Sequence, residues 1–379
     1  MISTISYLTT VKLGYGALAV LPDELKRLGI RKPLVVTDRG LVASGLLEKL
    51  RAALARGQAE APVFDGTPAN PTEVACEAAA QIFHTEGCDG IIGFGGGSSM
   101  DLAKGAALLA THPAPLGQYA ASNKGGDRIE PSVAPVVAIP TTAGTGSEVG
   151  RGAVIIMRDG RKLGVVSPHL FPKVAICDPE LTLDLPRALT AATGLDALAH
   201  CVETFCSPLI NPPAEAIALD GIERIVEHLP RVVADGHDRE ARWQMMAAAM
   251  EGAMAFQKGL GAVHSLSHAL GALPGRSLHH GTLNAILMPA VMRANTDAIG
   301  HKKIARLRRA LGIAENADVP AYFAALNRTL EIPASLGALG VKPADFDTVA
   351  SQAMTDHCHA TNPRALGIPE YIAILQEAY

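Results

Sequence analysis

Charge is scarce in this chain of 379 residues: Asp, Glu, Lys and Arg make up 18% of it, against about 25% in ordinary soluble domains. The formal net charge is −4, so there is no basic field to attract nucleic acid or an anionic membrane. Aromatic residues are 4%, with a single Trp, which removes the stacking platforms that single strands need. Cysteines number six (Cys76, Cys88, Cys177, Cys201, Cys206 and Cys358), and none forms a CxxC pair. A chain this long is no disulfide scaffold, so reduced thiols in a cytoplasm are expected. A long uncharged apolar run is missing, and with it the expectation of a transmembrane span. The opening MISTISYLTTVKLGYG lacks the basic-then-apolar order of a signal peptide. Hydrophobic residues, by contrast, reach 48%, which excludes a disordered protein and requires extensive burial.

The first half alternates short apolar runs with helical patterns. PLVVTD (33–38), LLEKLRAALARG (46–57), APVFDGTPANPT (61–72), EVACEAAAQIFHTEG (73–87) and DGIIGFGGGSSMDLAKGAALLATH (89–112) follow one another. That order predicts a parallel, doubly wound sheet. After DPELTLDLP (178–186) strand signals nearly vanish. Helical periodicities replace them at 214–229, 239–256, 303–313 and 345–357. The expectation is an α/β domain over 1–183 and an all-helical domain over 184–379, with a cleft between them as the default ligand site.

Two glycine loops follow strands. In GFGGGSSMDLAK, Gly95, Gly96 and Gly97 let the backbone approach a ligand. Ser98 is placed to cap the helix, whose free N–H groups attract an anion such as a pyrophosphate. The spacing matches neither GxGxxG nor GxxxxGK[ST], and a plain strand-to-helix turn is the competing reading. In IPTTAGTGSEV, Thr141, Thr142 and Thr145 offer hydroxyls beside Gly144 and Gly146. Both loops belong at the carboxyl edge of the sheet, where open α/β sheets bind nucleotides. Asp38 ends its strand either as a ribose ligand that disfavours a 2′-phosphate, hence NAD over NADP, or as a turn former.

The helical half holds GLDALAHCVE, with Asp196 and His200 four apart on one helix face. VHSLSHALG carries His264 and His268, again four apart, and LHHGTLNAILMP carries His279 and His280. One carboxylate with several imidazoles in an apolar setting suits a divalent first-row metal with an open position. Each residue alone has a plainer reading, as a surface pair or a satisfied core histidine. His357 and His359, in TDHCHATNP, look metal-like but belong to a loop.

Together, GGGSSMDLAK, PTTAGTGSE, the Lys162 segment, DPEL, GLDALAH, VHSLSHALG, HHGTLNAILMP and TNPR resemble the iron-containing (group III) alcohol dehydrogenases, over nearly the whole chain. The resemblance implies a dehydroquinate synthase-like fold: a Rossmann-like α/β domain and a helical domain. It implies NAD and Fe²⁺, with Zn²⁺ in some members. The metal ligands it implies are Asp196, His200, His264 and His280. Relatives carry one His before the Gly matching Gly281, so His280 is the fourth ligand and His279 the alternative. Carried over as coenzyme residues are Asp38, Asn70, Gly97, Ser98, Thr141, Thr142, Thr145, Lys162 and Leu181. Lys162 also falls near the reacting centre, its plain alternative being a solvated hairpin charge. His268, one turn from His264, is the candidate proton relay. Dimers are common in the family, so a homodimer is expected.

The implied activity is reversible hydride transfer between a primary alcohol and NAD. AMAFQKGLGAVHSLSHALG with HHGTLNA looks most like the 4-hydroxybutyrate dehydrogenase branch, whose ω-hydroxy acid needs a cation for its carboxylate. Arg151 and Arg276 are the candidates. The competing functions are a maleylacetate-type reductase, a sugar-phosphate lyase of the same fold, and a non-catalytic NAD-binding scaffold.

Overall fold

The computed structural model describes residue 7 and residues 9–379, so most of the segment read for a signal peptide lies outside the described residues. No helix among the described residues is long and apolar enough to cross a membrane. The chain divides into two compact units, one of 7–142 with 146–183, the other of 184–379 with 143–145.

In the first unit the chain runs β1 (Thr10–Leu13), α1 (Leu21–Leu28), β2 (Pro33–Val36), α2 (Arg39–Ala43), α3 (Leu46–Arg56), β3 (Val63–Phe64), α4 (Glu73–Thr85), β4 (Gly90–Gly95) and α5 (Gly97–Leu109). It continues through β5 (Val136–Pro140), β6 (Gly152–Ile156), β7 (Lys162–Val166) and β8 (Val174–Cys177). Among the described residues six strands form one parallel sheet in the order β1-β8-β5-β4-β2-β3. Side-chain alternation splits its apolar residues between two cores. Leu34, Val36, Ile91 and Val136 pack with Cys76, Ala79 and Phe83 of α4 and Leu102 of α5. Val35, Ile92, Phe94, Val137 and Ile139 pack with Leu25 of α1 and Leu47 and Leu50 of α3.

The strand order reverses direction between β2 and β4, the topological switch point at which such sheets bind ligands. Register pairs Val36 with Gly93 and Gly95 with Pro140. Asp38, the Gly95–Ser98 loop and Thr141–Thr142 therefore follow three adjacent strand ends.

β6 and β7 form an antiparallel hairpin outside this sheet. Its turn uses Gly160 at φ +83°, a conformation open to glycine. The loop before the hairpin is anchored by a buried lysine. Lys104 Nζ donates to Ser147 O and Oγ at 2.7 and 2.8 Å, to Gly150 O at 3.0 Å and to Gly152 O at 2.8 Å. Asp101 accepts from Ser147 Oγ at 2.6 Å and from Val154 N at 2.8 Å. Burial pulls the Lys104 pKa down to about 8, against the pull of Asp101 and Glu148.

The second unit is helical: α6 (Arg187–Cys206), α7 (Pro212–Ala234), α8 (Arg239–Ala255), α9 (Ala262–Gly271), α10 (His280–Ile299), α11 (His301–Ala310), α12 (Val319–Thr329), α13 (Phe346–Thr355) and α14 (Ile368–Glu377). Every residue of α6 from Thr190 to Cys206 is buried, so it is the core helix of this unit. Its last carbonyls have no helical partners. Buried Lys258 donates to Thr204 O at 2.8 Å, Phe205 O at 3.2 Å and Ser207 O at 2.7 Å. Lys303 donates to Phe205 O at 3.0 Å and to Ser207 O at 2.9 Å. Two cations at this terminus also suit the helix dipole, and Glu215 balances them at 3.3 Å from each.

Lys104→Met keeps the apolar stem and strips the ammonium from four buried acceptors. It is expected to cost about 3 kcal/mol in denaturant unfolding, since each orphaned acceptor costs about 1–3 kcal/mol before relaxation. A loss under about 0.5 kcal/mol, the scale of a neutral surface change, would refute the anchoring role.

Candidate functional site

In the first unit several of the coenzyme candidates cluster. Lys162, at the start of β7, donates to Asn70 Oδ1 at 2.8 Å. Ser98 Oγ donates to Ala69 O at 2.7 Å. Ser98 therefore does not cap α5, as the sequence suggested. The N-cap is Gly96, with no side-chain cap, and the helix starts at Gly97. The serine is instead turned to the 69–70 loop, which brings Asn70, Ser98 and Lys162 close together. A Cβ on Gly96 would stand 3.5 Å from Thr142 Oγ1, so the two glycine-loop strands approach closely. Thr141 N donates to Gly95 O at 3.0 Å.

Asp38 caps α2, accepting from Leu41 N at 3.0 Å, so its strand-end role is realised. Leu181 is buried in the apolar cluster with Leu18 and Ile176. Thr145 belongs to the second unit, with Ala143 and Gly144. A Cβ on Gly144 would meet Thr193 Cβ and O, both at 2.7 Å, so this loop lies directly on α6.

The second unit gathers the acidic and imidazole candidates. Asp196 Oδ1 is 3.9 Å from His200 Nε2, 3.8 Å from His264 Nε2 and 3.5 Å from His280 Nε2. Helical spacing sets the Asp196–His200 pair on α6. α9 and α10 supply the other two. Atoms of Asp196, His264 and His280 lie within 4.8 Å of one another. His200 stands beside them, its ring stacked on His264 at 4.6 Å. His279 is the exposed N-cap of α10, its Nδ1 accepting from Thr282 N at 3.4 Å. α10 comes close to α6 because residue 281 is glycine: a Cβ there would fall 2.2 Å from Ala192 O.

The sequence reasoning missed Glu203, one turn beyond His200 on α6. Its Oε1 accepts from Val263 N at 2.8 Å and its Oε2 from His264 N at 3.3 Å, at the N-terminus of α9, whose N-cap is a glycine without a side chain. Asn362, of the TNPR motif, accepts from Ala262 N at 3.1 Å beside it. Glu203 Oε2 also lies 2.5 Å from His264 Nδ1. Burial pushes the Glu203 carboxyl up to about 7, opposed by the backbone N–H groups of Val263 and His264. Burial, and then His200, hold His264 well below the usual imidazole range. The short contact sets Nδ1 against the carboxylate and leaves Nε2 facing Asp196. This is the second-sphere arrangement that orients imidazole ligands.

The second miss is Asn284, one turn after His280, whose Nδ2 donates to Asp196 Oδ1 at 2.7 Å. His268 stacks on His280 at 5.3 Å, with its Nδ1 2.9 Å from Asp356 Oδ2. Burial alone would raise the Asp356 carboxyl, but His268 holds it well below the carboxylate range. His357 continues the stack at 5.7 Å and reaches Cys358 Sγ with Nε2 at 3.5 Å. His359 pairs with Tyr371 Oη at 2.9 Å. These loop imidazoles are partnered within the protein. Arg276, one of the two carboxylate candidates, is held by Asp345 at 2.5 Å.

Three buried or half-buried imidazoles around one buried carboxylate are a donor set that fits a divalent first-row cation. Two buried atoms at the cluster have no hydrogen-bond partner, His200 Nδ1 and Asn284 Oδ1. Helices presenting such a set, in a chain that also carries a parallel sheet with glycine loops at its switch point, are the parts that a nucleotide-linked metalloenzyme requires.

Comparison with known proteins agrees. Residues 9–179 match the iron-containing alcohol dehydrogenase family, and residues 190–379 match the C-terminal part of the Fe-containing alcohol dehydrogenase family. The chain belongs to the iron-containing alcohol dehydrogenases. It is 53% identical to a 4-hydroxybutyrate dehydrogenase of Cupriavidus necator, over 99% of both chains. It is 35% identical to an NAD-dependent methanol dehydrogenase of Bacillus methanolicus, over 97% of each. A crystal structure of a 1,3-propanediol oxidoreductase superposes with a TM-score of 0.93 at 36% identity, covering all of both chains. The architecture is therefore the dehydroquinate synthase-like one, and the enzyme is an alcohol dehydrogenase interconverting alcohols and aldehydes.

Gly281→Ala is expected to force α10 off α6, costing about 3 kcal/mol, the upper range for overpacking. Gly117→Ala, where a Cβ meets nothing within 4 Å, is the control and should change stability little. Equal melting temperatures for the two variants would contradict the close approach.

Proposed function

We propose that this enzyme is a metal-dependent, NAD(H)-linked primary alcohol dehydrogenase whose substrate is an ω-hydroxy acid of the 4-hydroxybutyrate type. The observation that carries the metal reading is the convergence of His200, His264 and His280 on Asp196 Oδ1 at 3.5–3.9 Å. In this reading Asp196, His200, His264 and His280 hold Fe²⁺, with Zn²⁺ as the other divalent ion their chemistry admits. Such a cation supplies Lewis acidity toward the alcohol or aldehyde oxygen, while the coenzyme carries the hydride.

The protein's own groups do the rest. Glu203 keeps the His264 proton on Nδ1 and so leaves the Nε2 lone pair free for the cation. Asp356 holds the His268 ring through Nδ1, which leaves the Nε2 lone pair to take the alcohol proton or return it. Asp38, Asn70, Gly97, Ser98, Thr141, Thr142, Thr145, Lys162 and Leu181 bind NAD. The Lys162–Asn70 pair supports this, because it ties a cation to the loop beside the start of α5. Residues 1–183 then carry the coenzyme and 184–379 the metal. The 53% relative supports the ω-hydroxy acid. We further infer a homodimer in the cytoplasm. The six free cysteines, all buried, suit a reducing compartment.

Stripping divalent metal should abolish NADH formation, and Fe²⁺ or Zn²⁺ added back should restore it. 4-Hydroxybutyrate should then be turned over with a higher kcat/KM than 1-butanol; a preference for the neutral alcohol would remove the hydroxy-acid assignment. Asp196→Asn should lose at least about a thousandfold in kcat, on the scale of losing a principal charge-stabilising group. Full activity in metal-free protein would refute the metal reading.

A further inference from the structure

Asn284 is fully buried on α10, one turn beyond His280. Its Nδ2 lies 2.7 Å from Asp196 Oδ1, 3.2 Å from His280 Nε2 and 3.4 Å from His264 Nε2. Those are three of the four atoms assigned above to the cation. Ligand atoms bound at about 2.1 Å around one ion stand about 3 Å from their neighbours. The end of the Asn284 amide therefore has the spacing of another ligand of the same ion. At its other end, Oδ1 is buried and accepts no hydrogen bond. A buried carbonyl left unsatisfied beside a cluster of acceptors calls for a physical reason.

The reason lies in charge. With no cation among them, the acceptors attract the amide NH₂, and the carbonyl is turned away and orphaned. With a divalent ion in their midst the preference inverts. An NH₂ group would then point its hydrogens at the ion, while a carbonyl would offer it a lone pair. A carboxamide has nearly the same shape either way round, so rotation about Cβ–Cγ exchanges the two ends without repacking. The orphaned oxygen is the end that rotation brings to the ion.

We propose that Asn284 is a further protein donor to the divalent cation, beside Asp196, His200, His264 and His280, its amide turning to present Oδ1 when the ion binds. This rests on the metal reading above. A neutral oxygen donor raises the coordination number without adding charge. It moves the site from the closed tetrahedral set that suits structural zinc toward the oxygen-containing, higher-coordinate sets that iron accepts.

The test loads the full-length protein with Co²⁺, without coenzyme or alcohol. Visible absorption and affinity against a competing chelator are then measured. The wild type should show the weak bands of five-coordinate Co²⁺. Asn284→Leu, which fills the same volume without an oxygen, should show the stronger four-coordinate bands and bind Co²⁺ about tenfold or more weakly. Asn284→Asp, which keeps an oxygen, should retain affinity. Four-coordinate bands in the wild type, or a folded Leu variant with unchanged bands and affinity, would overturn the role of Asn284. The wild-type spectrum decides even where the Leu variant does not fold. Failure of the metal reading looks different: the wild type takes up no Co²⁺, or Asp196→Asn takes it up equally well, and both proposals fall.

Discussion

A helix buried on every face governs the helical unit. From Thr190 to Cys206 every residue of α6 is buried, yet it carries Asp196, His200 and Glu203. Burying ionisable groups is costly unless each is paired. The two carboxylates therefore draw other parts of the chain toward them: Glu203 the N-terminus of α9, and Asp196 the amide of Asn284 on α10. The orphaned helix termini are covered the same way, by Lys258 and Lys303 at the C-terminal end. The polar side chains on α6 thus fix where its neighbours sit, and apolar packing fills the rest.

That constraint explains why glycine occurs where it does. α10 can bring His280 within 3.5 Å of Asp196 only if its backbone nearly touches α6, and residue 281 has no Cβ to prevent this. In the α/β unit the glycines at the switch point serve a different need. Gly96 and Gly97 open a helix whose N-terminal amides are unscreened by a side-chain cap. Close backbone approach is the requirement between the helices, and open backbone N–H groups are what the glycines leave at the sheet edge.

Much of this was legible in the residues themselves. Val35 and Val36, Ile91 and Ile92, and Val136 and Val137 form the short apolar runs that fully buried parallel strands need, and they pack on opposite sheet faces as alternation requires. The i,i+4 pair on α6 was readable because helical geometry alone brings Asp196 and His200 together. His264 and His280 were readable as imidazoles in apolar surroundings, but their convergence on Asp196 depends on how three helices pack, which no local pattern encodes. β6 and β7 were glimpsed only as a hairpin around Lys162, because the bridges that tie them down, at Thr72 and Ala120, come from distant segments. Ser98 was misjudged because a hydroxyl can accept from a helix N–H, as a cap does, or donate to a carbonyl, and here it is turned to donate to Ala69 O.

Glu203 and Asn284 were missed for a sharper reason. Neither lies in a pattern that names a chemistry: a glutamate late in a helix and an asparagine after a histidine are ordinary. Their importance comes from the groups they face, and those come from distant segments. One signal was nonetheless present. Both sit at helical spacing from a candidate ligand, Glu203 three residues after His200 and Asn284 four after His280. A polar residue one turn from a proposed ligand, on a helix otherwise too apolar to face water, has to find its partner inside. In a helix like α6 that partner is either another ligand or the backbone that presents one, so the outer sphere of such a site can be searched for by burial and spacing together, where neither suffices alone.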